Sequence, residues 1–152
     1  MLSTLLWYLA ISLLGLLAFP LAYRLLPGLP DRGYAFARSL GLLLWGFAFW
    51  LLGSYGVIGN NLAGLLSALA ILAGLGYWAY RGVGIEELKR WWRDNRQYVL
   101  RVELLFAIAM ALMTLIRATH PDALYTEKPF ELAFINSIMA SPSMRPLDPW
   151  LS

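Results

Sequence analysis

The stretch "SLGLLLWGFAFWLLGSYGVIGNNLAGLLSALAILAGLGYWAY", residues 39–80, contains no charged side chain. A transmembrane helix needs about 20 predominantly apolar residues. The stretch is therefore too long for one span and fits two. Its break is the tripeptide "GNN" at residues 59–61, which is typical of a turn. The sequence predicts a tight hairpin of two membrane helices, near residues 35–58 and 62–80.

Two further spans flank this hairpin. Residues 1–23 carry no charge, which predicts a helix near 2–26 that is kinked at Pro20. It lacks the basic start and the A-x-A site of a signal peptide, so we interpret it as a retained helix. A fourth span near 98–118 has an uncharged centre bracketed by Arg101 and Arg117, whose long side chains can reach outward to the headgroups.

The composition agrees with a membrane protein. The chain is 60% hydrophobic and 14% charged, whereas a soluble domain carries about 25% charged residues. Its 152 residues leave room for one domain. The absence of cysteine excludes disulfides and thiolate metal sites. The sequence has no long basic run, so we expect no nucleic-acid partner.

Small residues indicate how the helices pack. Gly64 with Ala68, and Ala63 with Ser67, form small-xxx-small pairs. Such pairs let helices approach closely in lipid, and we favour packing within the bundle over a dedicated dimer face.

The stretch "RGVGIEELKRWWRDNRQ", residues 81–97, predicts a short cytoplasmic interfacial helix near 85–95. Ile85, Leu88 and Trp92 share one face of this helix, and we expect its tryptophans at headgroup level. We favour a generic anchor over a specific anionic-lipid site.

Glu103 is an ionisable residue just inside the fourth span. Such a residue is a functional candidate by default. The favoured interpretation is an ion pair with Arg96, one heptad back on the same helix face.

Basic residues predict the orientation. Three lie in the loop between the first and second spans and six in the loop between the third and fourth, against three in the C-terminal part. The positive-inside rule puts the first two groups in the cytoplasm. We therefore expect a multi-pass protein of the plasma membrane with both termini extracytoplasmic.

The C-terminal stretch "TEKPFELAFINSIMASPSMRPLDPWLS", residues 126–152, is more polar. Thr126 can cap a helix that starts at Glu127, tolerates Pro129 in its first turn and ends before Pro142. This helix is too short to span, so we expect it along the outer membrane surface or against the bundle. Asp148 follows in a rigid Asp-Pro-Trp turn.

Acidic residues make this stretch a candidate site. Carboxylates near a membrane surface could bind a hard cation, or act as a general base beside a phosphate clamp. Acidic side chains at an interface are more often simply solvated, and we expect an interfacial His120 rather than a metal ligand. The candidate groups are Glu127, Glu131, Asp148, Lys128 and His120.

Three motifs carry a family resemblance: "RGYAFARSLGLLLWG", "RATHPD" and "TEKPFELAFINSIMASPSMRPLDPW". They resemble the N-terminal part of the YYY membrane proteins, large polytopic proteins of uncharacterised function found in Chloroflexi and archaea. Phe130 replaces a methionine of the family pattern, and Glu131 replaces an aspartate. The matching positions are Thr126, Glu127, Lys128, Pro129, Phe134, Asn136, Pro146, Asp148, Pro149 and Trp150.

That family is in turn similar to the GT-C glycosyltransferases, which take sugars from lipid-phosphate donors. The resemblance implies that Asp148 is a catalytic base or a ligand of a divalent cation, Mg or Mn, supported by Glu127 and Glu131. It implies phosphate contacts from Lys128, Arg145 and Arg117. The residues that would shape the motif are Thr126, Pro129, Asn136, Pro149 and Trp150.

The sequence thus predicts an all-α polytopic membrane protein, with a four-helix module at 1–118 and an extracytoplasmic motif loop at 119–152. We expect it to be the front of a longer GT-C-like transferase, because four helices alone do not enclose a lipid-linked sugar and an acceptor. The alternative is a non-catalytic accessory subunit docked on a larger membrane complex, photosynthetic or respiratory. The expected partners are the bilayer, a lipid-phosphate-sugar donor and other membrane subunits.

The orientation is testable by cysteine labelling, because the chain has no native cysteine. In intact cells an impermeant thiol reagent should label Ser143→Cys and leave Asn95→Cys unlabelled. Labelling of Asn95→Cys with protection of Ser143→Cys would invert the topology.

Overall fold

The computed structural model describes residues 2–119, 128–143, 146 and 148–150. Within these ranges every regular element is an α-helix, as predicted. Four of the described helices are long and apolar enough to cross a membrane, namely Leu2–Leu25, Ala37–Ser54, Leu62–Val83 and Arg96–Thr119. The elements in order are α1 (Leu2–Leu25), α2 (Ala37–Ser54), α3 (Leu62–Val83), α4 (Ile85–Asp94), α5 (Arg96–Thr119) and α6 (Lys128–Ala140).

The boundaries follow local backbone chemistry. Helix α2 ends at Ser54, four residues before the predicted end, and Gly56 then takes a positive φ of 73°. Gly84, with φ 89°, separates α3 from α4. Asn61 caps the start of α3, where its side chain accepts a hydrogen bond from the Gly64 amide at 3.0 Å. The glycines supply conformations that other residues rarely adopt.

Helix α1 is the centre of the bundle, because both α2 and α3 pack against it. A Cβ atom added to Gly41 in α2 would lie 2.4 Å from the Leu14 carbonyl oxygen of α1. A Cβ at Gly76 in α3 would lie 2.1 Å from the Leu17 oxygen. Glycine therefore sets how closely both helices approach α1.

The small-residue pairs of α3 face different ways. Gly64 and Ala68 are buried, whereas Ala63 and Ser67 are exposed. The Ser67 hydroxyl donates back to the Ala63 carbonyl at 2.8 Å. The first pair therefore packs inside the bundle, and the second pair takes no part in that packing.

An aromatic cluster joins α1, the loop before α2, and α4. The Phe19 ring lies 4.9 Å from Trp91 and 5.3 Å from Tyr34 between ring centroids. Leu88 and Trp91 are buried, while Ile85 is exposed.

The predicted apolar face of α4, built from Ile85, Leu88 and Trp92, is therefore only partly right. Helix α4 turns the Trp91 ring into the protein core beside Phe19, and the headgroup level of both tryptophans stays a prediction. Trp92 is half-buried at the edge of the same cluster.

Helix α6 is tied to the turn between α2 and α3. The Asn60 side-chain amide donates to the carbonyls of Ile138 at 2.5 Å and Ser141 at 2.8 Å. The Asn60 backbone amide donates to the Pro142 carbonyl at 3.1 Å. Of the two positions expected for this helix, the structure thus shows a contact with the bundle at its C-terminal end.

The close approach of α3 to α1 predicts a matched pair of variants. Gly76→Ala should destabilise the protein by about 1–3 kcal/mol, because the new methyl meets a backbone oxygen that cannot move aside. Gly74→Ala is the control, since a Cβ there meets nothing within 4 Å. Thermal unfolding in detergent, followed by tryptophan fluorescence, measures both. Equal midpoints for the two variants would contradict the packing described.

Candidate functional site

The C-terminal element is organised around Asp148. Its Oδ1 accepts a hydrogen bond from the Trp150 backbone amide at 2.8 Å, which closes a side-chain-to-backbone turn across Pro149. The Trp150 ring then packs on Phe130 of α6, with 5.2 Å between centroids. The Asp-Pro-Trp turn that the sequence predicts is present, and α6 supports it.

The other predicted residues of this region are spread along the chain. Pro129 and Glu131 lie exposed in the first turn of α6, and Asn136 is exposed further along that helix. Arg117 is exposed in the last turn of α5, and Lys128 is the first residue of α6. The predictions for Thr126, Glu127, Arg145 and His120 fall outside the described residues.

A divalent cation needs several oxygen donors around it. Within the described ranges, no three acidic or histidine side chains come together in a way that could hold a metal ion. One oxygen of Asp148 already accepts the Trp150 amide. The described residues therefore do not form a cation site by themselves.

A second polar site lies between the helices around Glu103 of α5. Its carboxylate accepts hydrogen bonds from the Tyr34 hydroxyl at 2.5 Å and the Tyr8 hydroxyl at 3.2 Å. It also forms a salt bridge with Arg38 at the start of α2. The Glu103 cluster, defined as these four residues, links α1, α2, α5 and the loop before α2.

This arrangement corrects the expected pair of Glu103 with Arg96. Arg96 and Glu103 are one heptad apart on α5, but the cation that pairs with Glu103 is Arg38 of α2. Arg38 is 11% exposed at its side chain and is held by the carboxylate, by Ser12 at 3.4 Å and by the Phe106 ring at 4.3 Å. A charge inside an apolar bundle needs such partners, and Arg96 lies exposed at the start of α5.

The cluster is partly buried, with the Glu103 side chain 30% exposed. Ser12 is about 15 Å along α1 from Leu2 and about 20 Å from Leu25, at 1.5 Å per residue. A cavity of about 220 Å³ adjoins the cluster and is lined by Ser12, Leu16, Tyr34, Trp92 and Val99, among others. The Arg38 Nε atom is buried without a hydrogen-bond partner among the described residues.

The loop that carries Tyr34 is ordered by Asp31. Its carboxylate accepts hydrogen bonds from the Gly33 amide at 3.1 Å, the Ala35 amide at 2.9 Å and the Tyr98 hydroxyl at 3.1 Å. Burial alone would raise the pKa of Asp31, but these hydrogen bonds favour the charged form and lower it. Burial, then the bond to Glu103, raises the pKa of Tyr34 well above its usual value, so the phenol remains a donor.

Sequence reasoning found Glu103 but missed Arg38, Tyr8 and Tyr34. One signal was available in the sequence. Arg38 directly precedes the charge-free stretch at 39–80, so it lies where α2 enters the membrane. Asn60 was interpreted only as part of a break. Its role in capping α6 depends on a contact between residues far apart in sequence.

Comparisons with known proteins place the chain among membrane proteins. The family model described as "Uncharacterized membrane protein (DUF2298)" matches residues 44–152. No curated protein and no solved structure matches the chain.

The Glu103 cluster predicts unequal effects of single and double variants. Arg38→Leu should destabilise the protein by about 3 kcal/mol or more, because it leaves the Glu103 charge without its cation. The double variant Arg38→Leu, Glu103→Leu should recover part of that loss. Arg93→Leu is the control, as Arg93 pairs with Asp94 on the protein surface. The measurement is the thermal midpoint in detergent. A shift in the double variant equal to the sum of the shifts of Arg38→Leu and Glu103→Leu would contradict the ion pair.

Proposed function

We propose that this chain, which belongs to the DUF2298 family of uncharacterized membrane proteins, is the N-terminal membrane module of a GT-C-like glycosyltransferase. In this proposal the lipid donor is a phosphate-linked sugar. The motif loop faces the donor at the outer membrane surface. The transfer reaction needs the full-length protein.

The observation that carries the proposal is the fixed position of Asp148. The carboxylate turns back to the Trp150 amide at 2.8 Å, and the Trp150 ring packs on Phe130. Asn60 in turn fixes the end of α6 to the bundle. A flexible polar tail would need none of these contacts. A carboxylate held this way is preorganised to meet a reacting group.

The charge of the tail fits a phosphate-bearing substrate. Lys128, Arg145 and Arg117 supply positive charge in sequence near the acidic motif, and basic side chains bind phosphate oxygens well. Asp148 is proposed as the general base or as one oxygen ligand of a Mg or Mn ion. The further oxygen ligands would come from Glu127, Glu131 or chain outside these residues.

A second candidate function is a non-catalytic subunit of a larger membrane complex. The observation that favours it is the uncovered surface of α5, in which Val99 is the one buried residue among those described. Leu105, Met113 and Leu115 are each exposed by about two thirds. Such a helix offers a surface for other membrane helices as well as for lipid.

Two substitutions at Asp148 separate chemistry from structure. Asp148→Asn keeps the oxygen that accepts the Trp150 amide and removes the charge, whereas Asp148→Ala removes both. In the full-length protein, Asp148→Asn should lower sugar transfer from a lipid-phosphate donor about a hundredfold at an unchanged thermal midpoint. The assay follows radiolabelled sugar leaving the lipid phase.

The matched control is Asp94→Asn, the same change at an exposed carboxylate of α4, which should leave transfer unchanged. Wild-type transfer by Asp148→Asn, with loss only in Asp148→Ala, would give Asp148 a purely structural role. If the wild-type full-length protein turns over no lipid-linked sugar, the transferase proposal fails and the subunit function is favoured.

A further inference from the structure

A lateral groove of about 630 Å³ opens between the start of α2 and one face of α5. It exists because α5 packs against α1 and α4 rather than closely along α2. The α5 residues that line it recur at helical spacing, so they form one continuous stripe. The residues of the stripe are Tyr98, Arg101, Val102, Leu105, Phe106 and Ala109.

One end of the groove is cationic. Arg101 is exposed there and has no hydrogen bond or ion pair among the described residues. Arg38 and Ser39 line the groove from α2, where the Arg38 guanidinium lies over the Phe106 ring at 4.3 Å. The Glu103 charge is already taken up by Arg38 and two tyrosines. The cation that the groove offers is therefore Arg101, while Asp31 beside Tyr98 is held by the Gly33 and Ala35 amides and the Tyr98 hydroxyl.

The other end of the groove is apolar. Leu105, Phe106 and Ala109 continue the stripe for about 12 Å beyond Arg101, at 1.5 Å per residue. Arg101 itself lies three positions before the uncharged stretch of α5 that starts at Leu104. Arg101 thus lies at the polar end of α5, and the apolar part of the groove continues along the uncharged stretch of that helix.

We propose that this groove binds one anionic phospholipid, with its phosphate at Arg101 and Ser39 and an acyl chain along Leu105, Phe106 and Ala109. The order of groups in the groove, cation first and hydrocarbon wall second, matches the order of groups in such a lipid. The proposal does not depend on the proposed transferase function, whose candidate residues lie in the motif loop at the other end of the bundle.

Three other occupants fit less well. A free phosphate ion would use the cationic end and leave the apolar end without a ligand. A second copy of the chain would need an acidic residue at this level, and the acidic residues near this end of the bundle are already paired or lie on α4. A zwitterionic lipid brings its own cation beside Arg101, which lowers the attraction.

The test is native mass spectrometry of the full chain, extracted from bilayers that contain equal amounts of phosphatidylglycerol and phosphatidylcholine with the same acyl chains. The wild type should retain one phosphatidylglycerol in preference to phosphatidylcholine. Arg101→Gln should lower that retention about tenfold, as expected for the loss of a charge-assisted hydrogen bond. Ala109→Trp should lower it as well by filling the apolar end.

The matched control is Arg96→Gln, the same change in charge on the same helix but outside the groove, which should retain the lipid as the wild type does. Equal retention by Arg101→Gln and Arg96→Gln would overturn the proposal. So would displacement of the adduct by millimolar inorganic phosphate, which would indicate an ion site. A shift by Arg101→Gln from dimer to monomer, without a change in lipid, would also overturn it and make the groove a contact between chains.

Discussion

The close contact of glycine with the backbone of α1 is the constraint on which the bundle depends. Gly41 and Gly76 lie directly against the carbonyl oxygens of Leu14 and Leu17. Helices in lipid gain little from burying apolar side chains, so their association rests on close packing. Because α2 packs on α1, the loop between these helices folds back and brings Tyr34 against Phe19. The two rings form an aromatic surface on which α4 packs.

Helix α5 is joined to this core by a different kind of contact. Val99 is its one buried residue among those described, and its polar links run through Glu103 to Arg38, Tyr8 and Tyr34. A helix held at one level by charge and hydrogen bonds can diverge from its neighbours elsewhere. That divergence accounts for both the groove along α2 and the uncovered length of α5.

The sequence predicted the spans well because the absence of charge is a local property that needs no partner. It failed where the answer depended on which helices are neighbours. Glu103 was matched to Arg96 within one helix, whereas Arg38 comes from α2. For α4, helical periodicity selected Trp92, but the docking angle of the helix buried Trp91 more deeply. In the motif loop the Asp148 turn was predictable from Pro149, and the capping of α6 by Asn60 was not.

The two asparagines of the α2–α3 turn connect two helix ends of opposite polarity. Asn60 donates to the carbonyls of Ile138 in the last turn of α6 and of Ser141 just after it, while Asn61 accepts from the first turn of α3. The negative end of one macrodipole therefore meets the positive end of the other. None of these contacts involves an ionisable side chain. The hydrogen bonds of this joint therefore do not depend on the protonation state of any side chain, so a change of pH leaves their donors and acceptors unchanged.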